Sequence, residues 1–179
     1  MSAAITRIAL LRGVMPTGKN KVLMAELREV LAEAGFGNVR TWIQSGNALV
    51  DTDLEARATA DTIRTLIRER IGPDLAIIVM DAEQLRTTLR EPPFTDAAPE
   101  RIFYTLTMDE PAPAAVTQLL ATDFGENHLA QGPYGFYLHV PNSMARSKLN
   151  NNFIEKKLGI SATTRNRNTL AKLIELAEA

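Results

Sequence analysis

The chain has 179 residues, 45% of them hydrophobic and 23% charged, the composition of an ordinary globular protein with one medium domain or two small ones. It contains no cysteine, which excludes disulfides, thiolate nucleophiles and cysteine-held metals and fits a reducing cytoplasm. The formal net charge of −1 excludes a global attraction to polyanions, and no run approaches the roughly 18 apolar residues of a membrane span.

"ITRIALLRG" opens the chain as a predicted buried strand; Arg7 and Arg12 and the lack of a cleavage pattern argue against a signal peptide. "VLMAELREVLAEAGF" places Leu23, Leu27, Val30, Leu31 and Ala34 at helical spacing, with Gly35 and Gly37 to stop it. "VRTWIQ" and "NALVDT" flank Ser45-Gly46, which is hairpin chemistry. Thr52 and Glu55 are spaced as a capping box for a helix that buries Ala56, Ala60, Ile63, Ile67 and Ile71. "LAIIVM" follows as a buried strand.

After a short helix capped by Asp81 and the loop-like "EPPFTDAAPE", the same order returns. It runs from strand "RIFYTLTM" to helix "AAVTQLLATDF". A hairpin from "NHLAQ" through Gly132-Pro133 to "GFYLHV" comes next, then helix "RSKLNNNFIEKKLG" and strand "SATTR". A closing helix, "TLAKLIELAEA", has Asn168 as its expected cap. The expected fold class is α+β, an α/β plait. Two ferredoxin-like βαββαβ subdomains stand in tandem, residues 1–80 and 81–179, the second with a linker helix and an extra C-terminal helix.

Charge is unevenly spread. Between Arg146 and Lys172 stand seven bases and a single acid, Glu155, whereas residues 81–110 carry three bases and seven acids. Two solvated faces of opposite sign would explain this, and so would a functional basic surface.

Three constellations bear on function. Gly13 to Asn20 fits the phosphate-loop pattern G-x-x-x-x-G-K-[ST] except at Asn20, which replaces the magnesium-ligating hydroxyl. Pro16 also removes a backbone N–H from the cradle, and the antiparallel hairpin is wrong for such enzymes. What survives is an anion site at Lys19, Asn20 and Lys21, or equally a polar turn with an asparagine cap. Second, "PYGFYLH" partly matches the RNA-recognition signature, although Pro133 and His139 depart from it and aromatic strands usually pack as core. Third, Arg146 and Lys148 open a predicted helix against its macrodipole, and Asn150 to Asn152 lower its propensity; both point to a ligand or to packed amides. His128 and His139 are too few for a metal site and read as surface histidines, so no metal is expected. Ser45 sits on a tight turn without a base partner.

The segments "LLRGVMPTGKNKVLMAELREVLAEAGFGNVRTWIQSGNALV" and "RSKLNNNFIEKKLGISATTRNRNTLAKLIELA" resemble a bacterial domain-of-unknown-function family, numbered 1697. The resemblance rests on the R-G…G-K-N-K loop, the I-Q-S-G-N hairpin and the T-T-R-N segment, in that order. It implies plait-like α/β subdomains and no accepted reaction. The residues that carry it include Arg12, Gly13, Gly18, Gly46, Ser147 and Thr164. Val14 to Thr17 and Arg167 depart from the family pattern, the last standing where a tryptophan is usual.

The expected function is binding of a phosphate-bearing ligand, a nucleotide-like molecule or a nucleic-acid backbone, in a polar groove between the subdomains. Lys19, Asn20, Arg146, Lys148 and Arg165 are the expected donors, Gln44 and Asn47 orient, and Arg12, Ser45 and Asn166 complete the set. One alternative is a structural or protein–protein interaction protein whose polar motifs only lock the subdomains together. The other is an enzyme of unidentified reaction, since the sequence names no base, nucleophile or cofactor.

Overall fold

One element order occurs twice in the computed structural model, which describes residues 4–90 and 92–179; of the "EPPFTDAAPE" loop only Glu91 lies outside them. Contacts divide the chain into two units, Met1–Glu83 with Lys172–Ala179, and Gln84–Ala171.

In the first unit β1 (Ile5–Leu11), α1 (Met24–Glu33), β2 (Gly37–Thr41), β3 (Asn47–Thr52), α2 (Ala56–Arg70) and β4 (Ile77–Met80) follow in βαββαβ order. The strands lie β2-β3-β1-β4, all antiparallel. That is the ferredoxin-like arrangement. Helical periodicity turns Leu27, Val30 and Leu31 of α1, and Ala60, Ile63 and Ile67 of α2, into the core with Ile8, Leu10 and Leu49. The expected Thr52–Glu55 capping box does not form. Thr52 Oγ1 instead accepts from Leu54 N–H at 3.1 Å, and Glu55 is the cap without a side-chain bond. The C-terminal residues group with the first unit: Lys172 Nζ lies 5.4 Å from the Trp42 ring centroid, and Arg40 donates to the Leu176 carbonyl.

The second unit begins with α3 (Ala82–Arg90) and repeats the order as β5 (Ile102–Thr107), α4 (Pro113–Leu120), β6 (His128–Gly132), β7 (Gly135–His139), α5 (Asn151–Leu158) and β8 (Ala162–Asn166). Its antiparallel strand order is β6-β7-β5-β8, position for position that of the first sheet. α6 (Arg167–Glu178) closes the chain. One face of this sheet packs Phe136 and Leu138 with Val116, Leu119, Ile154 and Leu158. On the other, Tyr104 and Tyr137 meet edge to face at 5.8 Å, and Tyr137 Oη donates to the Thr88 carbonyl of α3 at 2.9 Å. Tyr104, Phe136 and Tyr137 are therefore core, and of the aromatics in the segments that partly match an RNA-recognition signature only Phe103 and Tyr134 are partly exposed.

Two positions test this packing. Gly135 sits at φ +145°, and a Cβ there would lie 1.9 Å from the Thr105 carbonyl oxygen of the paired strand. Gly135→Ala is expected to destabilise by about 3 kcal/mol or more in chemical denaturation, because rigid backbone must move. Conversely, the Tyr104 hydroxyl is buried without a hydrogen-bond partner among the described residues. Tyr104→Phe removes a desolvated group that gains nothing, so stability should hold or rise by about 1 kcal/mol. A clear loss would show that the hydroxyl has a partner in solution.

Candidate functional site

The sequence-predicted residues separate by chemistry: the amides are turned inward to hold backbone, and most of the cations are not. Gln44 spans the start of α1. Its Oε1 accepts from Met24 N–H at 3.1 Å and its Nε2 donates to the Val22 carbonyl. α1 has no side-chain cap of its own, with Leu23 at the cap position, so Gln44 does that work from a distant turn. The buried Asn47 donates to the Trp42 carbonyl at 3.1 Å and to Ser45 Oγ at 2.9 Å, closing the turn between β2 and β3. Asn20 donates to the Gly13 carbonyl at 3.3 Å, and Met15 N–H to the Asn20 carbonyl at 3.0 Å. The Gly13–Asn20 loop thus curls on itself and spends its amide on its own backbone. α1 starts at Met24, so the expected asparagine cap is absent, and the antiparallel sheet excludes a nucleotide-hydrolysing phosphate loop.

In the second unit the expected helix from Arg146 begins later. Met144–Arg146 form one 3-10 turn, Asn150 caps α5 by accepting from Phe153 N–H at 3.0 Å, and Gly159 at φ +68° ends it. Arg146 and Lys148 precede the helix and do not open it, although Lys148 Nζ still lies 5.6 Å from the ring centroid of Phe153 in its first turn. Asn151 donates to the Ala162 carbonyl at 2.9 Å and accepts from Thr164 Oγ1 at 2.9 Å, while Glu155 Oε1 accepts from Ala162 N–H at 2.9 Å. Together they cover part of the outer edge of β8, which would otherwise offer unpaired backbone. Arg165 folds back on its own strand, 2.7 Å from Thr163 Oγ1 and 3.0 Å from the Thr164 carbonyl. Asn166, not Asn168, caps α6, accepting from Thr169 N–H at 2.9 Å. Arg167, the departure from the family pattern, donates to the Leu89 carbonyl in the last turn of α3 at 3.3 Å, where a cation suits the helix C-terminus.

The cations differ. Arg12 is half-buried and already engaged. Lys19, Lys21, Arg146, Lys148, Lys156 and Lys157 are exposed, and none of their side chains has a hydrogen bond or ion pair among the described residues. Lys19 and Lys21 line an open cavity of about 310 Å³ with Leu23, Ile71 and one acid, Glu26. Lys148 and Lys157 each place Nζ 5.6 Å from the centroid of the Phe153 ring. Lys156 and Lys157 belong to the seven bases of the uneven charge, but neither is among the expected ligand donors and Phe153 is not singled out by the sequence; the i, i+4 spacing of Phe153 and Lys157 is the available signal.

The histidines are not solitary. His128 and His139 are register partners across β6 and β7, their rings stacked at 5.7 Å and 15°, with Phe94 also 5.7 Å from His139. Among the described residues no group of three or more His, Asp or Glu is placed to hold a metal ion. No helix of the described residues is long and apolar enough to cross a membrane.

No curated protein matches the chain. Among solved structures it is similar to the conserved bacterial protein SP0830 from Streptococcus pneumoniae, with a TM-score of 0.77 and 20% identity over 98% of this chain and 99% of that one. At that identity the likeness shows the fold alone. A family model described as protein of unknown function, DUF1697, matches residues 5–137, a span that includes the R-G…G-K-N-K loop and the I-Q-S-G-N turn. The chain belongs to this family, the one its motifs resemble.

Proposed function

We propose that the protein binds a phosphate-bearing ligand through the cations of its motif segments, Lys19 with Lys21 in the first unit and Arg146 with Lys148 in the second. The observation that carries this reading is selective pairing: the neighbouring amides are consumed by backbone, whereas these cations have no acid partner among the described residues. An exposed cation without an acid nearby raises the local potential and attracts anions, although the whole chain is close to neutral. At the first-unit cavity Glu26 offsets part of the charge of the two lysines, so a small phosphate-bearing molecule suits it better than a polyanion.

The test is a thermal shift of the full chain against inorganic phosphate, nucleotides and polyphosphate. A ligand present at a hundred times its Kd should raise the midpoint by roughly 5 to 10 °C. Lys19→Ala and Lys148→Ala should each reduce that shift; Lys19→Ala should leave the unliganded midpoint unchanged, and Lys148→Ala should cost at most about 0.5 to 1 kcal/mol for its contact with Phe153. No shift with any member of the panel would sink the reading.

A structural role is the second reading, and the double hydrogen bond of Gln44 to Val22 and Met24 favours it for the amides. Gln44→Ala should lower the unliganded midpoint by an amount equal to about 1 to 3 kcal/mol and leave the ligand-induced shift intact. Loss of the ligand shift with no change in midpoint would instead return Gln44 to the binding site.

A further inference from the structure

We infer that the α5 face of the second unit is a surface for single-stranded nucleic acid, with a base against Phe153 and phosphates on Arg146, Lys148, Lys156 and Lys157. The inference rests on the phosphate-binding reading and names the ligand class at this one face.

Four cations stand within twelve residues of chain, and none of them has an acid partner among the described residues. The one acid of that stretch, Glu155, is turned away onto the Ala162 amide of β8. Two ammonium groups, Lys148 Nζ and Lys157 Nζ, converge on one aromatic ring, each 5.6 Å from its centroid, which is cation–π range. Drawing two like charges to one ring without a counter-ion costs Coulomb energy, and a bound anion removes that cost.

Phe153 is fixed and half-buried. Phe124 meets its ring edge-on at 5.3 Å and 81°, and the ring packs against the core formed by Leu119, Ile154 and Leu158. A rigid aromatic side chain with flanking cations is the combination by which single strands are held, since every base has a stacking face and every linkage a phosphate. A duplex hides its base faces and an acidic protein has none, so neither uses the ring. Tyr104, Phe136 and Tyr137 are sealed in the core, and no lysine stands over the half-buried Phe103 of β5 as two do over Phe153.

The experiment is fluorescence anisotropy of the full chain with a labelled oligothymidylate across a salt series. Comparison ligands are an abasic strand of the same length, the matched duplex, inorganic polyphosphate and polyglutamate. With four phosphate contacts the logarithm of the affinity should fall against the logarithm of salt with a slope of about −2.8. Lys148→Gln combined with Lys157→Gln should bring that slope about 1.4 closer to zero. The abasic strand should bind about five- to a hundredfold more weakly than the oligothymidylate, and Phe153→Leu should erase that difference. The abasic comparison uses the unaltered protein, so it holds even if Phe153→Leu fails to fold. Equal binding of abasic strand, polyphosphate and oligothymidylate would overturn the inference and leave the phosphate reading standing. Preference for the duplex or for polyglutamate would also overturn it. Absence of binding to every anion, with no thermal shift, would end both.

Discussion

A side chain has no room at Gly46. A Cβ there would lie 2.8 Å from both Leu11 Cβ and Val14 Cγ2, and the backbone sits at φ +82°. This close approach lets the Gly46 carbonyl accept from Leu11 N–H at 2.8 Å, which ties the β2–β3 turn to the end of β1. The rest of that end of the first unit follows from it. With Gly46 pressed on β1, Asn47 is buried beneath the turn and Gln44 is held over the start of α1. The loop from Gly13 to Lys21 starts from this end of β1 and is closed by its own bonds, Asn20 to the Gly13 carbonyl, Met15 N–H to the Asn20 carbonyl and Lys21 N–H to the Gly18 carbonyl. Ile43, at φ +50°, is a β-branched residue in a conformation such residues avoid, and it stands inside the same turn. The backbone there is over-determined by its neighbours, which is the condition for such a conformation to persist.

The second unit solves the same problem with different residues. Its fourth strand is an edge strand, and α5 reaches it with Asn151 and Glu155, one at each backbone group of Ala162. An asparagine supplies both a donor and an acceptor, so a single amide can bridge a carbonyl and a hydroxyl at once, as Asn151 does between Ala162 and Thr164. Thr164 passes the chain on to Thr105 in the neighbouring strand at 2.7 Å. The three consecutive asparagines that lower helix propensity are therefore not an isolated flaw. Asn150 ends the loop, Asn151 fixes the edge, and both uses need the short two-headed side chain that makes asparagine a poor helix former.

The order of strands and helices was legible because burial imposes a period, 2 for strands and 3.6 for helices, and both halves keep it. What was not legible is which polar residue serves which backbone group. Thr52 and Glu55 have capping-box spacing, yet Thr52 closes a tighter local turn with Leu54. Asn166 and Asn168 are both sound caps, and only the length of β8 decides in favour of the first. Gln44 caps a helix twenty residues earlier in the chain, a pairing no local pattern encodes. The same limit blurred the candidate site. Amides that orient a ligand and amides that tie down backbone are identical in sequence, and here the tertiary bonds of Gln44, Asn47, Asn151 and Asn166 show the second use. His128 and His139 illustrate the converse, two residues eleven apart whose stacking depends on hairpin register alone.

A structural account of the polar motifs explains the amides and stops there. The Lys19 side chain makes no hydrogen bond or ion pair among the described residues, and those of Lys148 and Lys157 touch only the Phe153 ring, so the fold draws little on their charge. Solubility is also a weak reason for them. Interspersed charges of both signs would serve it better than a run of seven bases against one acid, in a chain whose remaining residues carry a net negative charge. Two lysines stand beside one aromatic ring, while Glu155, the one acid between Arg146 and Lys157, is engaged with the Ala162 amide. The polar motifs of this chain thus divide in two: amides turned inward onto backbone, and cations at Lys19, Arg146 and Lys148 turned outward to solvent.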